Sequence, residues 1–193
     1  MSLRPIVYSD VPILRKSSHK VRRVTTELQQ LVDDMLETMR ANNGIGLAAV
    51  QVGVLQRVIV VELPIESGDD DEVGPRKSSE ICVVINPKVA RHSLQMEDGV
   101  EGCLSVRGYV GEVSRYSSVT IKGIDRQGKP LRVKAEGLLA RVFQHEIDHC
   151  DGILFIDRIE DPDKIWPVPE GTEEQVEAKE AVMDSESALM VNV

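Results

Sequence analysis

Gln144-His145-Glu146-Ile147-Asp148-His149 decides how the rest of this 193-residue chain is read. It carries an H-E-x-x-H pattern. On an α-helix, residues four apart lie on one face about a turn apart, so two imidazoles can grip one metal ion beside a carboxylate that moves protons. The flanking residues support a helix. Leu139, Val142, Phe143, Ile147 and Cys150 recur at three- and four-residue steps and make a core stripe, and Gly152 offers a C-terminal cap. The spacing therefore predicts a helix from about Glu136-Gly137 to Asp151-Gly152. His145 and His149 stand on a neighbouring face, with Leu138, Arg141 and Val142 on or beside it, where they can line a pocket. Spacing does not choose the acid, because Glu146 and Asp148 flank the bisector of the two histidines at similar angles. The bland alternative is a surface helix with two chance histidines, and the rest of the chain has to decide against it.

Working back from that helix, the β-branched runs Arg57-Val58-Ile59-Val60-Val61 and Ile81-Cys82-Val83-Val84-Ile85 read as strands. Ser118–Ile124 and Leu131–Ala135 read as two more, joined by a turn at Arg126-Gln127-Gly128-Lys129-Pro130. The Ser-, Gly- and Asp-rich stretch from Pro64 to Ser79 reads as a solvated loop. Nearer the start, Thr26-Glu27-Leu28-Gln29 resembles a capping box, followed by Leu28, Leu31, Val32, Met35, Leu36 and Met39 at helical spacing up to about Asn42. Residues 1–23 read as an extended arm punctuated by Pro5 and Pro12. The order is helix, strands, helix, tail, which is α+β and not alternating α/β. Antiparallel β-sheets are expected around a central metal-binding helix, with a second helix near the N-terminus. The catalytic domain is expected to span residues 1–160, and residues 161–193 to form an acidic tail, partly helical or disordered.

The bulk numbers agree with a globular protein and exclude some functions. Charged residues make up 28% and the net charge is −9, which argues against a broad nucleic-acid footprint. From Asp161 onward nine acids face two lysines, so much of the negative charge is local to the tail. No apolar run approaches the roughly 20 residues a membrane span needs. Three cysteines, Cys82, Cys103 and Cys150, are too few for a disulfide framework and suit a reducing, cytoplasmic-type compartment.

A catalytic metal of this kind needs a third protein ligand. Downstream of His149 there are only ordinary acids of a tail. Upstream, Glu101-Gly102-Cys103-Leu104-Ser105 sets a cysteine behind a glycine. Taken alone Cys103 is more often a core thiol, but next to an H-E-x-x-H helix a thiolate ligand is the better reading. Cys82 and Cys150 read as core, and His19 and His92 as surface. The stretch Gly44-Ile45-Gly46-Leu47-Ala48-Ala49-Val50-Gln51-Val52-Gly53 is apolar except for Gln51, and by itself reads as a tight core turn.

These three stretches, in their order along the chain, resemble the three motifs of the peptide deformylase family. The resemblance covers the chain to about Arg158. It implies that Cys103, His145 and His149 hold one divalent metal, Fe²⁺ physiologically, which Zn²⁺, Ni²⁺ or Co²⁺ can replace. It implies removal of the formyl group from N-formylmethionyl peptides with release of formate. Glu146 would handle the proton, and the Gln51 side chain and Leu104 N–H would meet the oxyanion. The methionine pocket falls by Ile45, Leu138, Arg141 and Val142, and the backbone of Ile45-Gly46 and of Gly108-Tyr109 would pair with an extended peptide. Glu101 would pair with Arg115 to support the cysteine turn. Two departures stand out: Arg141 is charged where an apolar residue is common, which predicts a more polar pocket rim, and the acidic tail is unlike the basic helix some bacterial relatives dock on the ribosome. The expected partners are the peptide and at most a transient ribosome contact, with no direct nucleic acid and no membrane, in a bacterial cytoplasm or an organelle. A zinc endopeptidase and a closed structural Cys-His-His site are the competing readings. Cys103 lying upstream disfavours the first, and Glu146 the second.

Overall fold

The computed structural model describes residues 2–64 and 79–168; within them the chain forms two α-helices and eight β-strands. Helix α1 is Thr26–Ala41. Its cap is Thr25, one residue ahead of the expected box: Thr25 is extended and its side-chain oxygen accepts a hydrogen bond from the Leu28 N–H at 3.3 Å. The expected partner in the box, Gln29, is drawn away and accepts from Arg126 Nε at 2.9 Å. The helix ends at Asn42, and Asn43 takes a left-handed φ of 53°.

Strands β1 (Gly46–Ala48), β2 (Val58–Pro64), β3 (Ser79–His92), β6 (Ser118–Ile124) and β7 (Pro130–Glu136) form an antiparallel sheet in the order β1-β2-β3-β6-β7. A second sheet has the order β4-β5-β8, from Met96–Cys103, Val106–Tyr116 and Ile165–Pro167. Helix α2, Gly137–Asp151, packs against both sheets and is capped by Gly152 at φ 79°.

The larger sheet is covered on both faces, which explains the unbroken apolar run of β2. Ile59 and Val61 enter a core with Phe143, Ile147 and Cys150 of α2, whereas Val58 and Val60 enter one with Val32, Met35 and Met39 of α1. A strand buried on both faces loses the alternation of a half-exposed one. Each fully buried aliphatic side chain contributes roughly 1.5–3 kcal/mol, so this double burial fixes the register that presents β1. The consequence for function lies at the edges: β1 ends the larger sheet and β4 ends the smaller one.

The folded chain continues past residue 160. Asp161–Lys164 turns, and β8 pairs with β5 at Tyr109↔Pro167, Val110↔Trp166 and Gly111↔Ile165. Residues 65–78 of the expected loop and residues 169–193 of the tail expected from residue 161 lie outside the described residues. Among the described residues no helix is long and apolar enough to cross a membrane.

Candidate active site

Three elements converge. β4 ends on Glu101, Gly102 and Cys103, α2 presents Arg141, Val142, His145, Glu146 and His149, and the turn after β1 presents Gln51. The Cys103 sulfur lies 3.2 Å from His149 Nε2, and one ligand atom each from Cys103, His145 and His149 lies within 4.8 Å of the others. His145 Nδ1–H donates to Glu101 Oε2 at 2.8 Å, which fixes the ring with its other nitrogen toward the sulfur. A soft sulfur and two imidazoles in one buried cluster form a donor set that suits a divalent transition metal. The local field agrees. Burial disfavours a charged His145, yet Cys103 and Glu101 outweigh it and raise its proton affinity well above that of an ordinary imidazole, so positive charge is drawn between these groups. His149 goes the other way, kept neutral by burial and by His145.

Glu101 is the hub behind this cluster. It accepts from Arg115 Nε at 2.8 Å and Nη2 at 2.9 Å, from Arg141 Nη1 at 3.0 Å and from His145. Burial disfavours its charge, but Arg115 and His145 override this and hold the carboxyl below the usual carboxylate range.

The two candidate acids separate cleanly. Asp148 is paired with Arg115 and with Arg158, whose Nε lies at 3.0 Å. Glu146 is buried, its Oε2 has no hydrogen-bond partner among the described residues, and burial pushes its carboxyl up to about 7. Gly46 allows that placement, since a Cβ there would sit 2.4 Å from Glu146 Oε1. Gln51 is buried with its amide oriented: Oε1 accepts from the Ala48 N–H at 2.8 Å, so Nε2 donates to Ser105 Oγ at 3.2 Å and lies 3.5 Å from the Cys103 sulfur. Leu104 follows Cys103 in the β4–β5 turn, and the Ser105 N–H points at the same sulfur at 3.4 Å.

A cavity of about 370 Å³ opens beside these groups, with Ile45, Val100, Leu138 and Val142 among its apolar lining. Arg141 corrects an expectation. Its guanidinium does not form a polar rim but turns into the protein, donating to the carbonyls of Glu97 at 2.7 Å, Val113 at 2.8 Å and Gly99 at 3.3 Å besides Glu101. Gly99 makes room, because a Cβ there would lie 2.8 Å from Arg141 Cζ. Arg141→Met keeps the stem but leaves these buried acceptors unpaired, and is expected to cost about 2–4 kcal/mol. The denaturant midpoint measures it; a change below about 0.5 kcal/mol, the range of ordinary surface substitutions, contradicts this role.

Gly108 and Tyr109 line the cavity, but their edge of β5 is already paired: the Gly108 carbonyl accepts from the Val168 N–H at 2.9 Å, and Tyr109 stands opposite Pro167. The expected pairing of a peptide with this backbone is thereby displaced, because the chain beyond residue 160 folds back as β8. Among the described residues the unpaired strand edges at the cavity are those of β1 and β4, so Val100 and Gly102 join Ile45 and Gly46 as its backbone rims. Ser105 was also not anticipated, and its place two residues after Cys103 was the available signal.

Comparison with known proteins agrees with this geometry. The polypeptide deformylase family model matches residues 3–165. The peptide deformylase of Thermomicrobium roseum is 45% identical over 178 residues, spanning 92% of this chain and 98% of that protein. The peptide deformylase of Roseiflexus castenholzii is 47% identical over 171 residues, 83% of this chain and 91% of that protein. Among solved structures, a Synechococcus elongatus peptide deformylase in complex with actinonin superposes with a TM-score of 0.74 at 38% identity, covering 83% of this chain and 81% of that one. A class I type b peptide deformylase from Acinetobacter baumannii with Met-Ala-Ser bound gives 0.72 at 36% identity, covering 82% of this chain and 100% of that one. With the motifs, the antiparallel sheets around α2 and a match over most of its length, the chain belongs to the polypeptide deformylase family.

Proposed function

We propose that this chain is a metal-dependent hydrolase that removes the formyl group from N-formylmethionyl peptides and releases formate. The observation that carries the reading is Glu146, a buried carboxylate with an unpartnered oxygen beside a Cys-His-His donor set. Cys103, His145 and His149 would hold the metal, with Fe²⁺ expected and Zn²⁺, Ni²⁺ or Co²⁺ suited to the same donors. When bound, the metal would supply Lewis acidity that brings the pKa of water toward neutrality.

The chain's own residues do the rest. Glu146 takes a proton from the attacking water and returns it to the departing nitrogen. The water oxygen joins the formyl carbon, the C–N bond breaks, and formate and a free amine leave. Gln51 Nε2 donates to Ser105 and faces the Cys103 sulfur, so its amide sits beside the metal donors, where with the Leu104 N–H it would meet the oxyanion. The apolar cavity by Ile45, Leu138 and Val142 takes the methionine side chain. The peptide backbone lies between the β1 and β4 edges, a mode in which main-chain bonds tolerate varied side chains. The close approach of Gly46 to Glu146 favours the smallest acyl group, formyl, over acetyl. Residues 161–193 carry nine acids against two lysines, a composition unlike a basic ribosome-docking segment.

An anaerobic assay on iron- or nickel-loaded protein compares formyl-Met-Ala-Ser with acetyl-Met-Ala-Ser. Formate release from the first and almost no product from the second is expected. Absence of formate from the loaded protein overturns the proposal.

A further inference from the structure

Besides the Cys103 thiol and the Tyr109 phenol, five ionisable side chains line the cavity: Glu101, Arg107, Arg141, His145 and Glu146. Four of these five are committed. Arg141 and His145 are each bonded to Glu101, and Glu146 is buried beside Gly46. Arg107 is the exposed one. It makes no ion pair among the described residues, and its guanidinium lies face-on to the Tyr8 ring, 3.9 Å from the centroid. Tyr8 is fixed in turn, since the Val7 N–H donates to the Gln51 carbonyl at 2.8 Å and the Ser9 N–H to the Ser105 carbonyl at 2.9 Å.

A guanidinium held over an aromatic face by cation–π attraction keeps N–H groups available for a ligand, and the contact restricts the rotamers it must otherwise give up on binding. Such a group is suited to a carboxylate, which it can grip with two parallel hydrogen bonds. It also stands at the exit of the site. The exposed lining residues Asn42, Gly102, Arg107 and Tyr109 mark the mouth of the cavity. A peptide with its methionine in the cavity leaves through this mouth, and the next two residues of an extended chain lie within about 7 Å of it. The whole chain bears a net charge of −9, so the general field disfavours an acidic peptide and any preference for one must come from a local cation.

We propose that Arg107 is a specificity-determining residue that selects formylated peptides carrying a carboxylate side chain at the second or third position. This rests on the deformylase reading above, and the test separates the two. Formyl-Met-X-Ala-amide and formyl-Met-Ala-X-amide are compared with X as Asp, its isostere Asn, and Lys, all without a free C-terminal carboxylate. The Asp peptide of at least one series is expected to show a KM about two- to five-fold below its Asn partner, as for a partly exposed ion pair, with kcat unchanged. The difference should shrink at 0.5 M salt through screening of an exposed charge (a Debye length of about 4 Å) and disappear in Arg107→Gln, which should still turn over the Asn peptides normally. Equal KM for Asp and Asn in both series, or an Asp preference that survives in Arg107→Gln, overturns the proposal while leaving deformylation standing. No turnover of any formyl peptide would instead remove the reading on which it rests.

Discussion

Glu146→Gln is expected to bind metal as the parent does and to lose about 10²–10⁴ in kcat, the range that general acid–base catalysis supplies. The amide is isosteric, so it keeps the close contact with Gly46 and places no new volume against β1. It cannot accept a proton from water or deliver one to a leaving amine. No neighbouring acid can replace it. Asp148 is clamped by Arg115 and Arg158, and Glu101 by Arg115, Arg141 and His145. Metal content per chain and formate release are measured on the same sample. Retained turnover with full metal would reject Glu146 as the proton carrier, and loss of metal along with turnover would mean that its role is to hold the site together. Asp148→Asn serves as the contrast. It breaks a buried ion pair, so its main effect should be on stability.

The separation of those two acids shows where sequence reading stops. Helical spacing is local: four residues between His145 and His149, and three- and four-residue steps among Leu139, Val142, Phe143, Ile147 and Cys150, determine a face without knowledge of the rest of the fold. Glu146 and Asp148 are symmetric in that frame. What distinguishes them is Arg115, 33 residues from Asp148 and on another element. The β4–β5 hairpin was equally hard to read, because its inward positions include Glu101 and Arg115 in place of the apolar residues that mark a strand. β8 was hidden for a different reason. Ile165-Trp166-Pro167 is too short to read as a strand, and it is stabilised by the β5 edge, more than fifty positions upstream. That non-local pairing occupies the Gly108 carbonyl, which is why the peptide is proposed to lie along the β4 edge instead. Arg141 was placed correctly on its helix face, but the direction of a long side chain depends on which carbonyls await it, and those belong to Glu97, Gly99 and Val113.

Cys103→Ala should abolish stable metal binding while leaving the fold in place. Cys103 ends β4 at a turn and is only partly buried, so its truncation removes little core packing. For the site it removes the sulfur that lies 3.2 Å from His149 Nε2 and is the one soft donor of the three. Two imidazoles alone fall below the three protein ligands that catalytic sites use. Glu101→Gln provides the scale, since it keeps all three donors and weakens only the hydrogen bond that orients His145. Loss of such an outer partner typically costs about 10–100-fold in metal affinity, so Cys103→Ala must exceed that. Elemental analysis after dialysis, with thermal unfolding of the same samples, makes the comparison. The expected order of metal retention is parent, then Glu101→Gln, then Cys103→Ala with none. A Cys103→Ala protein that keeps a full complement of metal would show that the thiolate is not a ligand and would leave His145 and His149 in need of a different third group.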